Sequence, residues 1–182
     1  MSLISGIVKL FANNSNNDKK ENKENKGIVE YPFNNLKNED SIKINMFGKE
    51  KVVRVFCCGD NQFDESGNYK EGAFSFTEKE IEVLKWFVQN IRIEDYAKEI
   101  LKYCNDIYED CGDPTITIDD LENEIYISDI AINVTSIPQS KDGYVYPEIS
   151  FYGGCEAEPE HGICIGFRDK KFIGIEGQDW TL

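Results

Sequence analysis

The clearest alternation of apolar and polar positions runs from Glu148 to Gly177, EISFYGGCEAEPEHGICIGFRDKKFIGIEG. Ile149, Phe151 and Gly153 alternate with Glu148, Ser150 and Tyr152. After a Pro-Glu-His-Gly corner, Ile163, Ile165 and Phe167 alternate with Cys164 and Gly166. Asp169-Lys170 is a tight connection, and Phe172, Ile173 and Ile175 follow. A period of two broken by turn residues predicts three consecutive antiparallel strands. The same period marks Ser41–Phe47, with Ile42, Ile44 and Met46 on one face. Gly48-Lys49-Glu50 turns the chain, and Lys51–Cys58 returns as the second strand of a hairpin. Ile127–Ile137 reads mainly as strand, with Ile130, Ile132 and Val134 on one parity, and Ile28–Phe33 as a short extended piece.

Between the two β regions the period changes to that of a helix. Thr77-x-x-Glu80 is a capping box, in which the Thr hydroxyl accepts the Glu80 amide. Ile81, Leu84, Val88 and Ile91 then define an apolar stripe. A second helix carries Ile93, Ala97, Ile100, Leu101, Cys104, Ile107, Tyr108 and Cys111 in register. Gly112 suits a left-handed stop, and Pro114 prevents continuation. Ile118–Tyr126 is expected to be a short helix. This order predicts an α+β domain: an antiparallel sheet of about six or seven strands with an inserted pair of helices packed on one face.

The amino terminus is set apart. Leu3, Ile4, Ile7, Val8 and Phe11 share one helical face of Met1–Ala12, a stretch too short to span a membrane; it carries one Lys, where interfacial helices usually carry more, and a loosely docked or frayed terminal helix is expected. Asn13–Lys26 has no apolar residue and nothing to bury against the entropy of ordering. The expected organisation is an N-terminal tail and disordered polar linker over 1–26 and a single α+β domain over 27–182.

Charge narrows the function classes. The formal net charge is -14. The first 50 residues hold eight Lys/Arg and seven Asp/Glu, so the rest holds 12 against 27, a net of -15. Such a body repels phosphate backbones, so no nucleic-acid partner is expected, and a basic protein is its electrostatic complement. The aromatic residues are spread along the elements in core positions and form no stacking platform for bases. Met1–Ala12 lacks the basic start and small-residue cleavage site of a secretion signal. The six cysteines include no C-x-x-C, and a cytoplasmic location with buried thiols is expected. Cys155 and Cys164 flank the Pro-Glu-His-Gly corner, where a conditional disulfide or a soft-metal site is the alternative to two separate thiols.

The only histidine, His161, sits in that corner beside Glu156, Glu158 and Glu160. These four are the candidate metal ligands and equally the candidate partner-binding residues. The competing reading is a solvated acidic turn shaped by Pro159 and Gly162. Asp60–Glu71 echoes a calcium loop in its Asp start, Asp64, Asn68 and Glu end. However, Gln62 and Glu65 stand where a ligand and the turn glycine belong, and a strand precedes the loop. With one His, no G-x-S-x-G, no P-loop and no G-x-G-x-x-G, no catalytic residue and no cofactor is assigned. Asn133-Val134-Thr135 fits a glycosylation sequon but lies in an apolar strand.

The C-terminal meander resembles an uncharacterised bacterial family of domains of unknown function. The resemblance rests on Cys155, Glu160, His161, Gly162, Ile163, Ile165, Gly177 and Asp179, a pattern of Cys, Glu-His-Gly, an alternating strand and a closing Gly-x-Asp. It extends over Ser41 to Leu182 through the upstream hairpin and helix pair. Where some members have Trp after the Cys, this chain has Glu156-Ala157. Domains of this kind look similar to small acidic immunity proteins, which implies a non-enzymatic binding domain for a basic partner such as a bacterial toxin. The alternative is a metal-dependent hydrolase using Glu156, Glu158, Glu160 and His161.

Overall fold

In a computed structural model of the chain, residues 33–58, 66, 68, 74–134, 143 and 145–181 are described. The stretches expected to be a terminal helix, Met1–Ala12, and a disordered linker, Asn13–Lys26, lie outside them, as does most of Asp60–Glu71. The described residues form a six-stranded sheet in the order β1-β2-β3-β4-β5-β6. Its strands are β1 Ser41–Met46, β2 Lys49–Cys57, β3 Ile125–Ile132, β4 Ile149–Cys155, β5 Ile163–Arg168 and β6 Lys171–Glu176. Helices α1 Glu78–Asn90, α2 Ala97–Cys111 and α3 Leu121–Glu124 all fall between β2 and β3.

The first hairpin follows the alternation, with Ile42, Ile44 and Met46 buried. Its turn is tighter than expected. Phe47 and Gly48 both take positive φ, 50° and 74°, so β2 begins at Lys49. Two left-handed residues match the twist of the flanking strands, as they also do at Asp169 and Lys170 between β5 and β6.

β2 and β3 pair in parallel, whereas the other four neighbouring pairs are antiparallel. The sheet is therefore mostly, not wholly, antiparallel. A helical crossover allows this pairing, because parallel neighbours need a long connection that no hairpin supplies. Arg54 on β2 and its register partner Asp129 on β3 form an ion pair, Nε to Oδ1 2.5 Å.

α1 starts as its sequence dictates. Thr77 Oγ1 accepts from the Glu80 amide, and the Glu80 carboxylate accepts from the Thr77 amide. The buried face is shifted from the expected stripe, with Leu84 and Phe87 fully buried and Val88 only partly. Phe87 accounts for the shift, because its ring meets those of Phe151 and Phe167 at 4.7 and 5.3 Å. A short 3-10 turn, Ile93–Tyr96, leads into α2, which ends at Gly112 with φ 78°. α2 buries Ile100 and Cys104 and leaves Cys111 exposed. The expected helix over Ile118–Tyr126 stops at Glu124, and Ile125 already belongs to β3.

In β5, Ile163, Ile165 and Phe167 are wholly buried, but so are Cys164 and Gly166, so alternation does not mean one solvated face there. Trp180 covers Gly166 on the second face. A Cβ on Gly166 would lie 2.6 Å from the indole, and the indole Nε1 donates to the Val145 carbonyl at 3.0 Å.

Candidate functional site

The corner between β4 and β5 is organised by short-range hydrogen bonds. The Glu158 amide donates to the Cys155 carbonyl, and the Gly162 amide to the Glu158 carbonyl at 2.7 Å. This tight reversal puts Gly162 at φ 58°, a conformation glycine adopts without steric cost. The C-terminal segment then locks the corner. The Gln178 amide donates to the His161 carbonyl, and Gln178 Nε2 donates to the Gly153 carbonyl. Gly177 lies so close that an added Cβ would be 3.2 Å from that of His161. Glu-His-Gly and the closing Gly-x-Asp are thus two sides of one joint.

Of the four predicted site residues, the structure brings Glu158 and His161 together, Oε1 to Nδ1 2.9 Å. Glu156 and Glu160 are exposed on the same corner. The His161 pKa is raised above the ordinary 6.5, first by the hydrogen bond to Glu158 and its charge, with Asp179 and Glu160 adding to it.

Beside this pair lies an open cleft of about 430 Å³. Glu158, Glu176 and Asp179 supply carboxylates to it, and Tyr103, Tyr146 and Trp180 supply aromatic rings. Burial raises the Tyr103 pKa, and neighbouring Cys155, Glu158 and Glu176 add to the shift, so its hydroxyl stays protonated. A cleft with three carboxylates, three aromatic rings and a single imidazole favours a cationic group over an anionic one.

Beneath the corner is a second cluster that sequence reasoning missed. Cys104 of α2, Glu124 at the end of α3 and Cys155 at the end of β4 are all buried, and their ligand atoms lie within 4.8 Å of one another. The two sulfurs are 3.7 Å apart. Glu124 Oε1 accepts from the Tyr108 hydroxyl at 3.0 Å and from the Ala157 amide at 2.8 Å. The Cys104 hydrogen bond lowers the Cys155 pKa against the opposing effect of burial, and the Ala157 and Glu158 amides reinforce the lowering. Cys104 is shifted upward, first by that same hydrogen bond and then by burial. Cys155 thus meets Cys104, not Cys164. Cys164 lies opposite Tyr152 in the β4–β5 register, and burial pushes its thiol up to about 12. Two of its members carried a sequence signal, Cys104 on the apolar stripe of α2 and Cys155 beside the corner, whereas none pointed to Glu124 or to the pairing of these two thiols.

Among the described residues, no helix is long and apolar enough to cross a membrane. A family model described as a domain of unknown function (DUF6985) matches residues 25–182. No curated protein and no solved structure matches the chain.

Proposed function

The chain belongs to this family of domains of unknown function, and we propose that it is a non-enzymatic binding domain that takes a basic protein partner at the C-terminal corner. The cleft carries this reading, since it sets Glu158, Glu176 and Asp179 around three aromatic rings. A Lys or Arg side chain would place its charge among the carboxylates and its methylenes on the rings. The net charge of -14 would steer such a partner from a distance. The partner class that fits best is a basic bacterial toxin, with this chain as its cytoplasmic immunity-type protein. In the same reading the helix pair covers one face of the sheet, the face of Phe151 and Phe167, and α2 adds Tyr103 to the wall of the cleft.

The test is co-purification from the native cell with wild type and with Glu176→Gln/Asp179→Asn. A basic protein recovered with wild type at low salt, and lost with the double variant, supports the reading. Failure to recover any partner at low and moderate salt overturns it.

The 2.9 Å Glu158–His161 pair supports a second reading, a metal-dependent hydrolase at Glu156, Glu158, Glu160 and His161. Stoichiometric metal that disappears in His161→Ala would promote it over the first.

A further inference from the structure

We propose that Cys104, Cys155 and Glu124 form a buried structural site for a thiophilic divalent ion, with zinc the best match. This inference does not depend on the partner reading.

Three side chains from three separate elements converge there, from α2, the α3–β3 junction and the end of β4. In a tetrahedral zinc site with Zn–S bonds of about 2.3 Å, the two sulfurs would lie about 3.8 Å apart. The Cys104–Cys155 separation is 3.7 Å. Glu124 Oε1 lies 3.9 Å from the Cys155 sulfur, near the corresponding oxygen–sulfur edge of about 3.5 Å. Two thiolates and a carboxylate suit zinc, whereas calcium and magnesium require oxygen donors.

The surroundings are those a metal site needs. The Tyr108 hydroxyl lies 3.0 and 3.1 Å from the two Glu124 oxygens and the Ala157 amide donates to Oε1, which together fix the carboxylate in position. Such outer donors orient metal ligands and are part of the site. Glu124 is only 7% exposed, Cys155 4% and Cys104 0%, so an ion held there is screened from solvent. The second oxygen of Glu124 or a water molecule completes the fourth position. Both cysteines bind as thiolates and release their protons to buffer. The ion then pins α2 to the corner that carries His161.

The probe is cobalt, followed by zinc, added to the reduced and chelator-stripped full chain. One cobalt per chain is expected, with a thiolate-to-cobalt charge-transfer band that zinc abolishes and a higher melting temperature in zinc. Cys104→Ser and Cys155→Ser should each lose the band, whereas Cys111→Ser should keep it. Should the buried cysteine variants fail to fold, Tyr108→Phe serves instead, with an expected loss of about 10–100-fold in cobalt affinity. Absence of the band in wild type overturns the proposal. So does a band that survives in both buried cysteine variants, or unchanged cobalt affinity in Tyr108→Phe. A reduced chain that takes no metal but forms a Cys104–Cys155 disulfide under a mild oxidant overturns it as well.

Discussion

Gln178 Nε2 donates to the carbonyl of Gly153 at 2.7 Å, and this bond ties the C-terminal turn to β4. Gly162 lies against the same carbonyl, where an added Cβ would come within 2.4 Å at a φ of 58°. Gly162→Ala should therefore cost about 1–3 kcal/mol from backbone strain alone. Gln178→Ala should cost about 0.5–1.5 kcal/mol for the lost bond. Urea melts of both variants check this. An unchanged midpoint for Gly162→Ala would show that the corner tolerates another path.

Phe167 is wholly buried, and its ring contacts those of Phe87, Tyr96, Phe151 and Phe172. Phe167→Ala should lose about 3–5 kcal/mol. Glu158→Ala, whose side chain is 30% exposed, should shift stability by about 0.5 kcal/mol or less. Denaturant melts of the pair separate scaffold from site. A harmless Phe167→Ala would contradict the β5 register.

Much of this fold was legible because its signals are local. The Thr77–Glu80 cap, the Gly112 stop and the Asp169-Lys170 turn each depend on a few neighbouring residues. The parallel β2–β3 pairing was not legible, since alternation within a strand says nothing about the direction of its neighbour. The buried stripe of α1 shifted to Phe87 because a ring finds more partners across the sheet than Val88 does. At the corner, proximity in sequence gave Glu158 and His161, but Glu176, Asp179 and Trp180 joined them only through the third strand. Cys104, Glu124 and Cys155 are separated along the chain by 20 and 31 residues and meet only in tertiary structure.

His161 makes the cleft pH-dependent. Its folded pKa is raised above 6.5 by Glu158, so the pairing contributes stability that is fully present below 6.5. That contribution is lost as pH rises through the raised value. Binding of a basic partner runs the other way. The imidazolium adds positive charge to the cleft at low pH, so affinity should rise as His161 loses its proton. His161→Gln should flatten that part of the profile when affinity is followed across pH. A profile as steep as that of wild type would assign the dependence to another group.

Removal of residues 1–26 should leave the domain folded, because Asn13–Lys26 offers no apolar side chain to a core. Thermal melts of the full and shortened chains check this. A fall of more than a few degrees would show that Met1–Ala12 docks on the body.

Calorimetric titration of the co-purified basic protein into wild type and Glu176→Gln/Asp179→Asn, at low and moderate salt, tests most directly whether the cleft takes the partner. The double variant should lose at least about tenfold in affinity, roughly 1.4 kcal/mol. Wild-type affinity should fall as salt screens the cleft. Equal affinities for the two chains, or binding indifferent to salt, would contradict binding there.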